Sequence, residues 1–173
     1  EERIVRTLEA FRRNRYDVAR FAERTAAADY LAREIRGKRV GFGDSETLRA
    51  LSLYERLSEH NEVIDPPRAG HVGGIEAFLA AGREALMTDI FVLSANAITE
   101  EGQILNMDGA GNRVAGSLFG HEKTYFVVGI NKLVPNIEAG IDRIHRIAAP
   151  RNAQRKGKKT PCAAAGDRCY DCA

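Results

Sequence analysis

Residues 92–113, VLSANAITEEGQILNMDGAGNR, gather Asn96, Thr99, Glu100, Glu101, Asn106, Asp108, Asn112 and Arg113 beside Gly102, Gly109 and Gly111. Amides and hydroxyls hydrogen-bond a small polar ligand, and an arginine fork grips a carboxylate or phosphate at two points. A desolvated carboxylate acts as a nucleophile or general base, and Glu100 is the candidate for that role. The span opens as an apolar strand, and α/β proteins build ligand sites from polar residues just past the carboxyl ends of such strands. Asn106 and Asp108 alternate on the next strand and so point the same way. Gly109, Gly111, Asn112 and Arg113 then open a helix, whose free N–H groups favour an anion. Plainer readings stand beside these: Glu100 in a solvated hairpin turn, and Arg113 as a surface partner of Asp108.

Two further strand ends carry polar groups. In VGFGDSETL, Gly41 and Gly43 allow close backbone approach to a ligand, and Ser45 and Thr47 offer hydroxyls. Helix capping by Asp44 or Ser45 explains the same turn without a ligand. In GINK, Asn131 and Lys132 follow the apolar strand TYFVV, where a sheet edge would turn toward a ligand. The four histidines show no ligand spacing with one another. Near the end, Cys169 and Cys172 form a Cys-x2-Cys pair, with Cys162 seven positions earlier. Such thiolates can chelate zinc or an iron–sulfur centre, with a fourth ligand from elsewhere; free or redox-active thiols are the alternative.

These groups need elements to hold them. Apolar periodicity predicts helix over 3–36, ended by Gly37, a strand over 38–42 and a helix over 45–60. A short strand at 62–64 meets Asp65-Pro66-Pro67, and 66–74 reads as a loop. Helix is expected at 75–85, a fully apolar strand at 89–94, and a hairpin turn at 100–102 leading to a strand at 103–107. Helix 111–119, strand 124–130 and helix 136–148, stopped at Pro150, complete the pattern. Strands alternating with helices imply a single Rossmann-like, three-layer α/β domain. Its sheet is mainly parallel with one antiparallel hairpin. Composition divides the chain into an N-terminal helical segment (1–36), the α/β domain (37–150) and a basic, cysteine-bearing tail with no packing face (151–173).

At 173 residues the chain can bury a core without disulfide or metal staples. A net charge of +2 gives no global field for nucleic acid. Basic residues concentrate late, at Arg146, Arg151, Arg155, Lys156, Lys158 and Lys159, as a solvated tail or a contact for an anionic partner. No run of roughly 18 apolar residues predicts a membrane span. The charged, periodic amino terminus is unlike a secretory signal. The chain begins at Glu1, as expected of an excised piece, and its cysteine usage suits a reducing cytoplasm.

The segments VGFGDSETL, SANAITEEGQILNMDGAGNRVAGSLFG, VVGINKLV, IAAPRNAQR and KTPCAAAGDRCYDC together resemble the LUD domain family of lactate-utilisation proteins. The resemblance runs in order from about residue 38 to the end. It implies the Rossmann-like fold shared by sugar-phosphate isomerases and coenzyme A transferases. It also implies a place in L-lactate oxidation beside iron–sulfur partner proteins. Methylthioribose phosphate isomerases carry a catalytic Asp where Asn96 stands, and Asn cannot ionise to act as a base. Coenzyme A transferases carry a nucleophilic Glu near the place of Glu100. Three functions therefore stand open. One is a component that binds a small anionic metabolite and leaves catalysis to a partner. Another is an autonomous coenzyme A transferase or sugar-phosphate isomerase. The last is a non-catalytic assembly module whose cysteine tail binds a metal. No cofactor is assigned, and a homodimer is the assembly considered.

Overall fold

The computed structural model describes residues 1–172. In chain order these form α1 (Glu2–Arg13), α2 (Arg24–Glu34), β1 (Arg39–Phe42), α3 (Glu46–Ala50), α4 (Leu53–Ser58), β2 (Glu62–Ile64) and α5 (Pro66–Ala85). There follow β3 (Ile90–Leu93), β4 (Ala97–Thr99), β5 (Ile104–Leu105), α6 (Asn112–Leu118), β6 (Lys123–Phe126) and a 3-10 turn (Ile130–Lys132). The last elements are β7 (Leu133–Val134), α7 (Ile137–Arg143), a π-helical segment (Ile144–Ala148), α8 (Ala149–Arg155) and α9 (Pro161–Ala165). The chain folds as two compact units: a parallel-sheet unit of Ala19–Ser94 and Asp108–Val128, and a hairpin unit of Glu1–Val18, Ala95–Met107 and the chain from Gly129 onward. These units cut across the three compositional segments.

The parallel-sheet unit is built on four strands in the order β2-β1-β3-β6, every neighbouring pair parallel. Strand β3, IFVL, is buried throughout. Ile90 and Val92 pack with Ala28 and Leu31 of α2 and Leu53 and Leu57 of α4, whereas Phe91 and Leu93 pack with Ile64 and Ala85. Successive strand side chains point to opposite faces, so both faces of this sheet are covered and the expected three-layer arrangement forms. Each fully buried Val, Leu or Phe contributes about 1.5–3 kcal/mol, which makes β3 the natural anchor of this unit. Helix α6 reaches the sheet through Gly116, where a Cβ would lie 2.5 Å from the Phe91 ring.

The hairpin unit holds a second sheet, β5-β4-β7. Strand β4 pairs antiparallel with β5 and parallel with β7. The expected antiparallel hairpin is therefore present but belongs to this small mixed sheet. Helix α1 docks on its turn: Asn14 Nδ2 donates to the carbonyls of Glu101 (3.2 Å) and Gly102 (3.0 Å). Gly102, at φ +81°, is needed there, because a Cβ would sit 2.8 Å from the Ala10 backbone carbon.

Several elements differ from the periodicity reading. The helix expected over 3–36 breaks after Arg13, where Arg15 takes φ +65°. Tyr16 N–H donates to the Phe11 carbonyl at 3.1 Å and Arg15 N–H to that of Arg12 at 2.9 Å, a Schellman closure that stops the helix. The helix expected over 45–60 splits at Ser52, with φ +48°. The expected loop 66–74 is helical, because Pro66 and Pro67 occupy a first turn where no N–H is required; Gly74 then kinks the helix. Pro150 does not stop the last helix either. The ladder widens into the π-helical segment and restarts at Ala149, placing Pro150 in a new first turn. The tail also packs: Cys162 on α9 is 6% exposed, and Cys169 N–H donates to the His145 carbonyl at 2.6 Å.

Candidate functional site

In the parallel-sheet unit β2 follows β1 on one side, and β3 lies on its other side. The order in which strands are added to the sheet thus reverses at β1, and the gap between β1 and β3 is the switch point beyond whose carboxyl ends open α/β sheets bind ligands. Gly43, Asp44, Ser45 and Thr47 continue from β1, and Ser94 follows β3. Gly43 N–H donates to the Val92 carbonyl at 2.9 Å, carrying the pairing to this edge. Ser45 caps α3, its Oγ accepting from Thr47 N–H at 3.2 Å. Ser94 is buried and donates to Thr47 Oγ1 at 3.4 Å. Two cues in the sequence, a strand end and a capping serine, thus converge.

Arg113 reaches the same edge. A Cβ at Gly43 would lie 2.8 Å from Arg113 Cγ, so the arginine stem passes directly over that glycine. The Arg113 side chain is only 11% exposed, and its Nε stands 3.7 Å from Asp108 Oδ1. Asp108 Oδ2 accepts from the N–H groups of Arg113 (2.9 Å) and Val114 (3.1 Å), which closes the start of α6. At Gly111, φ +84° demands glycine before Asn112, while a Cβ on Gly109 would meet nothing within 4 Å. Gly41 serves packing, because its Cβ would fall 2.7 Å from Thr88 Oγ1. Asp65, which the sequence reading passed over as part of a turn, ends β2 at this same edge. Burial pushes its carboxyl above the usual carboxylate range, against the pull of its hydrogen bond from the Arg68 backbone and of the Arg49 charge.

The hairpin unit holds the other candidates. Asn96 N–H donates to Asn106 Oδ1 at 3.1 Å, and Asn96 Oδ1 accepts from Met107 N–H at 2.7 Å, a reciprocal pair that ties the hairpin ends. Thr99 is buried, with its Oγ1 donating to Gln103 Oε1 at 2.6 Å. Glu100 accepts from Arg3 Nε at 2.6 Å and lies 3.9 Å from Arg6 Nη2. Asn131 and Lys132 form the 3-10 turn before β7. Arg143, unmarked by any sequence signal beyond a basic residue late in a helix, donates from Nε to the Asn131 carbonyl at 3.3 Å and from Nη1 to the Asn96 carbonyl.

The three cysteines stay apart in role. Cys162 lies buried beside Thr160 Oγ1 at 3.2 Å, Cys169 points to Asp171 at 3.6 Å, and Cys172 is exposed. Among the described residues no three His, Cys, Asp or Glu side chains come together as a metal site. Among these residues, too, no helix is long and apolar enough to cross a membrane.

The sequence-marked residues therefore fall into two sets. Gly43, Ser45, Thr47, Asp108 and Arg113 meet Ser94 in the parallel-sheet unit, and Asn96, Thr99, Glu100, Asn106, Asn131 and Lys132 lie in the hairpin unit. A parallel sheet covered on both faces defines a Rossmann-like α/β protein. The LUD domain model matches residues 4–171, and the chain belongs to that family. No curated protein and no solved structure matches it.

Proposed function

We propose that this LUD-family chain is a cytoplasmic lactate-utilisation component that binds a small anionic metabolite and works with iron–sulfur partner proteins in L-lactate oxidation. Family membership supports the lactate-utilisation context. The observation that carries metabolite binding is the convergence of Gly43, three hydroxyls and Arg113 at the β1/β3 switch point. A carboxylate entering there competes with Asp108 for the Arg113 guanidinium, whose planar fork suits a two-point grip on a carboxylate. Ser45, Thr47 and Ser94 hydroxyls supply hydrogen bonds beside it, and Gly43 leaves the space. Asn96, Asn106, Asn131 and Lys132 act on this reading by holding the hairpin unit in shape.

Calorimetric titration of the full chain with L-lactate and with pyruvate tests the reading. One of them binds saturably, and Arg113→Ala weakens that binding by about 1.5–3 kcal/mol, the value of a charge-assisted hydrogen bond. Absence of binding by both compounds, or unchanged affinity in the variant, would overturn it.

A further inference from the structure

Beyond its kink at Gly74, α5 sorts its residues by face. Gly82 and Ala85 are buried, Phe78 and Ala81 are half-buried, and Ala81 and Ala85 pack with Phe91 and Leu93 of the sheet. The opposite stripe, Glu76, Leu79, Ala80 and Arg83, follows the i, i+3, i+4, i+7 spacing of one helix face and is exposed throughout. Val72 and Met87 stand beyond its two ends and Ile75 beside it, all exposed. Helix α6 lies alongside: a Cβ on Gly82 would meet Asn112 Cβ at 3.9 Å, and one on Gly120 the Leu86 carbonyl oxygen at 3.7 Å. Leu118 and Phe119 close α6, the latter 92% exposed. The most exposed large hydrophobic residues among those described, Phe119, Val72, Met87, Leu118 and Ile75, thus all belong to α5, α6 and their ends. Apolar surface gathered in this way marks an interaction face, whereas single exposed hydrophobics need no explanation.

The charges on the stripe indicate what covers it. Other charged residues of α5 find partners within the chain: Arg68 pairs with Glu55 and Asp65, and Glu84 with Arg39 at 2.9 Å. Among the described residues no ion pair engages Glu76 or Arg83. Glu76 lies three positions before Leu79, and Arg83 three positions after Ala80. Two antiparallel copies of this helix, related by a two-fold axis between Leu79 and Ala80, place positions equidistant from that midpoint opposite each other. Glu76 of each copy then faces Arg83 of the other, and each Leu79 faces the small Ala80 of the other. Val72, seven positions before Leu79, and Met87, seven after Ala80, carry the apolar stripe outward on both sides. A face that complements itself under a two-fold rotation is what an isologous dimer requires, and an unrelated partner makes no such demand. The mixed signs also argue against an anionic membrane, which selects Lys and Arg.

We infer that a second copy of this chain docks on the α5–α6 face, the two α5 helices packing antiparallel about a two-fold axis between Leu79 and Ala80. Two Glu76–Arg83 pairs bracket the seam and fix its register, while Val72, Met87, Leu118 and Phe119 supply the apolar area. The inference does not depend on the carboxyl-edge site of Arg113.

Sedimentation velocity of the full chain over a concentration series tests it, with circular dichroism to check folding. A reversible monomer–dimer equilibrium is expected. Glu76→Arg sets a positive charge against Arg83 of the second copy, and Arg83→Glu sets a negative charge against Glu76. Each variant alone should therefore weaken dimerisation about tenfold or more, through two like-charge contacts. An equimolar mixture of the two variants should restore the dimer, because every facing pair is again opposite in sign. The doubly substituted chain should recover it for the same reason. Both positions are exposed, so the substitutions leave the core untouched. A chain that stays monomeric throughout the series, single variants that dimerise as well as the parent, or a mixture that fails to recover would each overturn the inference. A monomer that instead co-sediments with phosphatidylglycerol vesicles would assign the face to a lipid surface.

Discussion

The Arg113 side chain lies across Gly43, so close that a single methyl group on the glycine would meet Arg113 Cγ at 2.8 Å and Leu93 Cβ at 2.9 Å. Gly43 is therefore a matter of space at the end of β1, and the arginine it admits gives this sheet edge its strongest hydrogen-bond donor.

Gly43→Ala should accordingly destabilise the protein by about 1–3 kcal/mol, the cost of overpacking a filled site. Urea unfolding measures it, and L-lactate or pyruvate titration of the same variant should show weakened binding through the displaced arginine.

Asp108 closes the first turn of α6 through two backbone N–H groups. Asp108→Ala should cost about 0.5–2 kcal/mol of stability, as for other lost caps. Asp108→Asn retains an acceptor oxygen, so it should recover most of that stability while freeing Arg113 from its anionic neighbour. Ligand affinity in Asp108→Asn should rise.

Asp65 provides a pH test. Its carboxyl is raised by burial, so the folded state holds the proton more tightly than the unfolded chain. Stability contributed by that group is present below the ordinary carboxylate range and is lost as pH climbs through the raised value. Asp65→Asn removes the buried charge but keeps an acceptor. Thermal unfolding should show it gaining on the parent protein as pH rises from about 3 to 7, near the ordinary carboxyl pKa and above. A gap constant with pH would contradict the assignment.

Glu100 separates binding from acyl transfer. Its carboxylate rests on Arg3 and would have to leave that partner to attack a thioester. Incubation with a panel of acyl-coenzyme A donors should give no adduct at Glu100 by mass spectrometry. A thioester mapped there would favour an autonomous coenzyme A transferase.

The tail thiols should react unequally. Cys172 is exposed and Cys169 partly so, while Cys162 is buried in α9. A disulfide-exchange reagent should titrate two thiols quickly and Cys162 only on unfolding. Elemental analysis of anaerobically purified protein tests metal binding by the same tail.

The sequence by itself determined the four strands of the parallel sheet, but not β4 and β7 of the second sheet. The unbroken apolar run at β3 fits a strand buried on both faces, and the residues between parallel strands must cross in helices. It also marked Ser45, Thr47 and Arg113 as groups next to strand ends. It did not determine where helices break, because Arg15 and Ser52 adopt positive φ, which non-glycine residues rarely take, at helix-end closures. Nor did it reveal that 92–113 feeds two units, with Asn96 and Asn106 spent on tying a hairpin and Arg113 carried to the other sheet. Arg143 was invisible for a related reason: only the folded chain brings the Asn96 and Asn131 carbonyls within reach of one guanidinium.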